Sequence, residues 1–294
     1  VSNHQTGPIM RLLAFTIDRQ PRIGALNDAG VIDLSLVDAT APTDLGTVVK
    51  NGRLAELAAI LAESDGTAHH QLADLELQMP VATPGKIICL GLNYMDHIAE
   101  GPFEKQAFPA IFMRSPTSLV AARKPILAPR MSNTMDYEAE LAVIIGQKCK
   151  NLTADNALDV IAGYSCFNDG SVREYQRHTI QWTMGKNFDQ TGPFGPFLVT
   201  PNELPTAADG LKIECRLNGK TVQSSSTDMM IFKVVETLVY ITEAMTLDAG
   251  DVVVMGTPSG VGHGRKPPLW MRDGDVVEVE IEKVGLLSNP VKAI

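Results

Sequence analysis

Short apolar runs of strand length recur along this chain, and Pro and Gly residues separate nearly all of them. After Pro84 they cover residues 86–90, 110–113, 141–145, 197–200, 211–217, 251–255 and 276–281. Runs of this length that are bounded by turn residues are typical of β-strands. Since few helical segments remain to cover parallel crossovers, the pattern favours a mixed or antiparallel sheet roll over a doubly wound fold. The predicted class is therefore α+β and rich in strands.

The part of the chain before Pro84 has a different texture, with short elements and then a polar stretch that Pro residues punctuate. Its predicted elements are strands at residues 11–17, 22–26 and 31–34 and a helix at residues 54–62. We therefore predict a small N-terminal α/β domain, residues 10–82, and a larger domain, residues 83–294. We expect Met10 to be the native start and residues 1–9 to be an extension. Two further helices are predicted at residues 153–159 and 231–245.

The composition is that of an ordinary globular protein, with 45% apolar and 20% charged residues among 294. The net charge of −9 and the lack of a Lys/Arg block argue against a nucleic-acid partner. No run approaches the ~20 apolar residues of a membrane span, so no membrane partner is expected. The four cysteines form no CxxC pair, which favours reduced thiols in a cytoplasmic protein.

The stretch DYEAELAVIIG, residues 136–146, starts with acidic residues and ends in strand formers. If it forms one strand, its side chains alternate between two faces, and Asp136, Glu138 and Glu140 lie on the same face. Like charges this close repel each other, and burial increases the repulsion. We therefore expect something to compensate this charge.

Asp169 supplies a further carboxylate directly after another strand-like run, in GYSCFNDGS. Carboxylates without a Cys or His cluster suit Mg²⁺ or Mn²⁺, with water and substrate completing the coordination. The alternative is a strand edge whose charges face water, and for the Glu138–Glu140 pair alone that alternative is the better one. The apolar runs beside both sites favour a metal site.

The stretch GLNYMDHIAE, residues 91–100, places His97 and Glu100 three apart, so that they are neighbours on a helical turn. A carboxylate beside an imidazole orients the ring and raises its basicity, which suits a general base acting on water. For such a pair alone, a surface ion pair is the more common explanation. Residues 101–109, which follow, have the composition of a mobile loop that could cover an active site.

Lys186 stands among aromatic, Gly and Pro residues rather than on a charged face. Such a lysine can stabilise negative charge on a substrate, and packing of its stem along apolar surface is an equally good explanation. Arg173 and Gln176 could reach a polar ligand, although surface positions are the default for both. In the loop GTPSGVGHG the Thr257 hydroxyl is a candidate donor to a ligand, and a plain tight turn is the alternative.

Taken together, these segments resemble the fumarylacetoacetate hydrolase family. The resemblance runs from about Lys86 to the C-terminus, and the N-terminal part resembles the small α/β domain that many members carry. Each motif alone is modest, but several occur in the family's order: GLNYMDHIAE, PAIFMRSPTSLV, DYEAELAVIIG, GYSCFNDGSVRE, GKNFDQTGPFGP, SSSTDMMIF, GDVVVMGTPSGVG and DGDVVEVEIEKVGLLSNP. The catalytic domain that the resemblance implies is a mixed β-sandwich roll, and the implied assembly is a homodimer.

The resemblance also implies a role for each candidate residue. The implied ligands of a Mg²⁺ or Mn²⁺ ion are Glu138, Glu140 and Asp169. The implied catalytic groups are the water-activating pair His97 and Glu100, on a closing loop, and the oxyanion-binding Lys186. The positions that contact the substrate in some members are matched by Arg173, Gln176 and Thr257.

The reaction that the resemblance implies is hydrolysis of a C–C bond in an acylpyruvate-type or other 2,4-dioxo acid, through an enolate held at the metal. We prefer hydrolysis because the His–Glu pair can activate water. The alternatives on the same site are decarboxylation of an oxaloacetate-type acid and isomerisation of an unsaturated dioxo acid. More remote is a non-catalytic ligand-binding protein, which would be expected to lack one or more of His97, Glu100 and Lys186.

The identity of the substrate tail is left open by the sequence. Candidates to line the pocket for it are Arg114, Arg173, the loop at residues 101–109 and the insertion HGRKPPLW, residues 263–270. Asp136 matches no ligand position in the resemblance, so we expect it either to support the metal ligands or to face solvent.

Overall fold

Strands outnumber helices in the computed structural model, which describes residues 10–96 and 107–294. The strands are β1 Arg11–Ile17, β2 Gln20–Asn27, β3 Gly30–Asp33, β4 Glu76–Gln78, β5 Ile87–Gly91, β6 Ala110–Arg114, β7 Leu119–Ala121, β8 Ile126–Ala128, β9 Met135–Asp136, β10 Ala139–Ile145, β11 Ile161–Asn168, β12 Ser171–Val172, β13 Gly192–Val199, β14 Lys212–Leu217, β15 Lys220–Ser226, β16 Val252–Val254, β17 Val276–Ile281 and β18 Gly285–Ala293. The helices are α1 Leu34–Val37, α2 Leu45–Lys50, α3 Leu54–Ala62, α4 Arg173–Gln176, α5 Thr183–Lys186 and α6 Val234–Ala244. None of these helices has the length and apolar character needed to cross a membrane.

The strands form one large sheet, one smaller sheet and a short ribbon. The large sheet has the order β3-β2-β1-β13-β11-β10-β16-β5-β6, with β4 beside β1 and β7 beside β13. The smaller sheet has the order β15-β14-β17-β18-β8, and the ribbon pairs β9 with β12. Since β10 and β11 are antiparallel whereas β16 and β5 are parallel, the large sheet is mixed, as the sequence predicts.

The large sheet is covered on both faces. On one face, β11 and β13 pack against β17 and β18, with Phe197 and Leu287 in the core between the sheets. On the other face, α2 and α3 contribute Val48 and Leu57 to a second apolar cluster that includes Ile144 of β10. Strand β10 is buried along its whole length because both of its faces are covered. The four cysteines are free and buried.

The N-terminal strands continue the large sheet. Strand β1 runs antiparallel to β13, with Arg11 opposite Val199 and Leu13 opposite Phe197. Helix α3 has the predicted bounds. The division of the chain at residues 82 and 83 stays a prediction.

The helix predicted at residues 153–159 is wrong, because this segment forms turns. The segment is too short to stabilise a helix without an amphipathic face. The Asn156 side chain accepts a hydrogen bond from the Thr153 backbone N–H at 2.8 Å, as in the first turn of a helix, but no helix follows. The helix predicted at residues 231–245 is present as α6, with somewhat narrower bounds.

Candidate active site

The pairing of β10 with β11 brings the three predicted metal ligands together. Ala139 is the first residue of β10 and lies opposite Asn168, the last residue of β11. Glu138 and Glu140, on either side of Ala139, therefore lie close to Asp169, which follows β11. The Asp169 backbone N–H donates to the Glu138 carbonyl at 2.9 Å, which fixes the junction. One carboxylate oxygen from each of Glu138, Glu140 and Asp169 lies within 4.8 Å of the others, and all three residues are buried.

The buried, neighbouring carboxylates of this triad favour the binding of a cation. Burial raises the pKa of Glu140 well above its ordinary value, and the nearby carboxylates of Asp169 and Glu138 raise it further. The Gly256 N–H, which donates to Glu140 Oε2 at 2.6 Å, opposes this shift. Because hard oxygen donors in a buried cluster suit Mg²⁺ or Mn²⁺, the three residues fit a divalent cation.

Lys186 places its ammonium group against two members of the triad. Its Nζ lies 2.6 Å from Glu138 Oε2 and 2.6 Å from Asp169 Oδ2, and only 2% of the side chain is exposed. Burial alone would lower the pKa of Lys186, but Asp169 and Glu138 more than offset this effect, so the pKa is raised and the group stays charged. The ring of Phe112, with its centroid 5.1 Å from Nζ, adds a cation–π contact.

A glycine allows the close approach that brings Lys186 into the site. A Cβ at Gly185 would lie 2.3 Å from the Gln176 backbone nitrogen. Helix α5 can therefore rest directly on α4, and Lys186 at its end reaches the carboxylates. The explanation in which the Lys186 ammonium reaches water does not apply, since this group is enclosed.

Arg114 lies behind Asp169 and does not line the cavity, contrary to the sequence-based expectation. It ends β6 pointing inward, and Nη1 donates to Asp169 Oδ1 and to the Gly170 carbonyl, the latter at 3.1 Å. Nη2 donates to Thr191 Oγ1 at 2.9 Å. The side chain is fully buried. Its charge thus supports a triad member from the protein side.

Asp136 is buried, so the expectation that it faces solvent is wrong. The stretch 136–146 is not one strand, because β9 ends at Asp136 and β10 begins at Ala139. The Asp136 carboxylate accepts hydrogen bonds from Arg173 Nε at 2.8 Å, Gly262 N at 2.8 Å and His263 N at 2.9 Å. Asp136 therefore links the loop after β16 to Arg173.

Arg173 and Gln176, at the two ends of α4, both reach the site. Arg173 Nη2 lies 2.6 Å from Glu138 Oε1, and Nη1 donates to Gln176 Oε1 at 2.9 Å. Thr257 also lies at the site, but its hydroxyl donates to the Ala139 carbonyl at 3.0 Å. The Thr257 hydroxyl therefore donates its proton to the backbone and not to a ligand in this structure.

Several of these groups line one cavity of about 270 Å³. Glu138, Glu140 and Lys186 are buried, whereas Arg177 and Thr179 are exposed, so the carboxylates form its inner end. The described residues that line it are Leu90, Gly91, Leu92, Phe112, Glu138, Glu140, Arg173, Gln176, Arg177, Thr179, Trp182, Lys186, Thr257, Val261 and His263. Its volume is below the range of about 300–1,000 Å³ that is usual for drug-sized ligands, which favours a compact substrate.

His97 and Glu100, the predicted water-activating pair, lie outside the described residues, as does most of the predicted loop at residues 101–109. Their roles stay predictions. Of the insertion at residues 263–270, His263 lines the cavity.

The sequence interpretation missed Arg177 and Trp182 as cavity residues. For Arg177 a signal was present, because it directly follows Gln176, the last residue of α4. For Trp182 the signal was its position four residues before Lys186. In the structure it covers Gly91, where a Cβ would lie 2.1 Å from the indole ring.

A mixed β-sandwich that carries a buried carboxylate triad and a lysine at the inner end of a cavity defines a class of metal-site enzymes. The family model for the fumarylacetoacetate (FAA) hydrolase C-terminal domain matches residues 86–292. The chain therefore belongs to the fumarylacetoacetate hydrolase family, as the resemblance predicted, and its β-rich α+β fold is the fold of that family.

Similar proteins in this family carry names for different reactions. A Xenopus laevis protein named oxaloacetate tautomerase fahd2, mitochondrial, is 39% identical over 288 residues, which cover 96% of this chain and 90% of that protein. The structure of fumarylacetoacetate hydrolase from Exiguobacterium antarcticum matches with a TM-score of 0.82 and 37% identity over 97% of this chain and 100% of that one. The 2-hydroxyhepta-2,4-diene-1,7-dioate isomerase from Mycobacterium marinum matches with a TM-score of 0.73 and 31% identity, over 97% and 98% of the two chains.

Proposed function

We propose that this protein is a Mg²⁺- or Mn²⁺-dependent enzyme that interconverts the keto and enol forms of a compact 2-oxo dicarboxylate, with oxaloacetate as the first candidate. The observation that carries the proposal is the position of Lys186, whose ammonium group is buried 2.6 Å from two of the three triad carboxylates. The Lys186 ammonium group, fixed there, would face the enolate oxygen of a substrate bound beside the metal ligands. The small cavity and the tautomerase names of similar proteins support this choice of reaction.

Different residues of the chain bind the cation, stabilise the enolate and move the proton during enolisation. A divalent cation held by Glu138, Glu140 and Asp169 would supply a Lewis acid that polarises the 2-oxo group. Lys186 remains protonated and donates to the oxygen as negative charge grows on it. The reaction takes one proton from the enol oxygen and places one on C3, so no water is consumed. His97, with Glu100, is our candidate for the group that moves this proton.

Hydrolysis of a 2,4-dioxo acid, our first expectation from the sequence, is the second candidate. It is favoured by the GLNYMDHIAE motif, which places an imidazole beside a carboxylate, and by the name of the Exiguobacterium protein. Both reactions share the enolate, so the triad and Lys186 alone do not separate them.

One set of assays separates the two candidates. The decay of enol-oxaloacetate is followed by ultraviolet absorbance with Mg²⁺, with and without protein, and acylpyruvates are incubated in H₂¹⁸O. We expect decay at least about 10²-fold faster than with Mg²⁺ alone, no release of pyruvate from oxaloacetate, and no ¹⁸O in a new carboxylate. Label in the acid product without faster enol decay would show that the protein is a hydrolase.

A further inference from the structure

Arg177 and His263 meet at the cavity although they lie far apart in the sequence. Arg177 directly follows α4, and His263 lies in the single helical turn Gly262–Gly264. Arg177 Nη2 contacts His263 Nε2, and both side chains line the cavity that Glu138 and Glu140 also line. The exposure of Arg177 and the burial of Glu138 and Glu140 place the pair towards the outer end of this cavity.

The charge of Arg177 differs from that of the other cations at the site. Arg114, Arg173 and Lys186 each form ion pairs with buried carboxylates. Arg177 has no carboxylate within ion-pair distance among residues 10–96 and 107–294. Its positive charge is therefore available to an anion that enters the cavity.

His263 can act beside Arg177 as a neutral hydrogen-bonding group. Burial lowers the pKa of His263, and the positive charges of Arg177 and Arg173 lower it further, so the imidazole is neutral at pH 7. An arginine beside a neutral imidazole offers one fixed charge and several N–H donors, which suits a carboxylate.

The backbone around His263 is held in place before any ligand enters. Asp136 accepts the N–H groups of Gly262 and His263 at 2.8 and 2.9 Å. A Cβ at Gly262 would lie 1.8 Å from the Leu269 carbonyl oxygen, so the chain is tightly packed there. The backbone of His263 therefore needs little further ordering when a ligand binds, which favours affinity.

We propose that Arg177 and His263 form the subsite for the distal carboxylate of the substrate, the group at the opposite end from the 2-oxo acid that meets the triad. This inference rests on the proposed function, because it names the second anionic group of the same substrate. It makes Arg177 the residue that selects dicarboxylates over monocarboxylates.

The test compares acids that differ only at the distal end. C3 deuterium exchange is measured with Mg²⁺ for oxaloacetate and for 2-oxobutanoate, in which a methyl group replaces the distal carboxylate. For Arg177→Gln we expect kcat/KM with oxaloacetate to fall by about tenfold to a hundredfold, mainly through KM, as for a lost charge-assisted bond. With 2-oxobutanoate we expect a change of less than about twofold. Arg177→Lys should recover part of the loss, and the exposed Arg130→Gln is the matched control.

A binding measurement keeps this inference separate from the proposed reaction. Calorimetry with Mg²⁺ present compares malate with 2-hydroxybutanoate, neither of which needs to react. If Arg177→Gln weakens the binding of malate but not that of 2-hydroxybutanoate, the subsite is supported. This holds even if the wild-type protein enolises no acid, a result that would overturn only the proposed function. Equal losses for both acids, or none for malate and oxaloacetate, would overturn the subsite.

Discussion

At the scale of single residues, Arg114 shows how a buried charge is held. Its guanidinium group is fully enclosed and paired with Asp169. We expect Arg114→Met to lower the free energy of unfolding by about 3–5 kcal/mol, because it leaves Asp169 buried with less compensation. Urea titration measures this change. The control is Lys124→Met, which breaks the half-exposed pair with Glu76 and should cost at most about 1 kcal/mol. Similar small costs for both variants would contradict the role given to Arg114.

Glu140 is the triad member whose removal separates stability from metal binding. Since glutamine can still accept the Gly256 N–H, Glu140→Gln removes a buried like charge and keeps that hydrogen bond. We expect the metal-free protein to gain on the order of 1 kcal/mol in unfolding free energy. We also expect Mn²⁺ affinity to fall at least about tenfold.

Urea titration in chelator and calorimetry with Mn²⁺ measure the two effects, with the exposed Glu63→Gln as control. Unchanged Mn²⁺ affinity in Glu140→Gln would contradict the assignment of this residue as a ligand.

At the scale of elements, the contact of α5 with α4 positions Lys186. Gly185→Ala would place a Cβ 2.3 Å from the Gln176 nitrogen, so α5 must move. We expect kcat to fall at least about tenfold, since small misplacements of a catalytic group are costly, while circular dichroism shows a folded protein. Met184→Ala, an exposed neighbour on the same helix, is the control. Activity within about twofold of wild type would show that Lys186 does not depend on this contact.

Asp136 ties the loop after β16 to α4. Asp136→Asn replaces one acceptor oxygen with a donor that faces N–H groups and weakens the pair with Arg173. We expect faster amide hydrogen exchange in residues 258–272 and a raised KM, because His263 and Arg173 lose their common anchor. Mass spectrometry measures the exchange, and Asp155→Asn on the surface is the control. Unchanged hydrogen exchange in residues 258–272 would contradict the claim that Asp136 holds this loop to α4.

Some secondary-structure elements were predictable from the sequence, and others were not. The strand-length runs and α3 were predictable because burial and periodicity act locally. The break of 136–146 into β9 and β10 was not, since Asp136 is fixed by Arg173 and by the loop at 262–263, partners that only the fold brings near. The turns at 153–159 were missed because a segment this short forms a helix only when tertiary packing stabilises it, which local propensity does not report.

At the scale of the whole molecule, the triad was predictable because its members flank recognisable strands and match a family pattern. The companions of the triad were harder to find. Arg114 is 55 residues from Asp169 in sequence, and Arg177 is 86 residues from His263. No local pattern reveals such pairs, because only the folded chain brings the two partners together. The predicted homodimer and the predicted roles of His97 and Glu100 stay predictions.

The central claim is that the triad, Lys186 and the cavity accelerate enolisation of a 2-oxo dicarboxylate, and solvent deuterium exchange at C3 of oxaloacetate tests it most directly. We expect the wild-type protein with Mg²⁺ to exchange C3 protons at least about 10²-fold faster than Mg²⁺ alone. EDTA should abolish this acceleration, and Glu140→Gln should bring it close to the background. Exchange no faster than with Mg²⁺ alone, or exchange that survives both EDTA and Glu140→Gln, would contradict the claim.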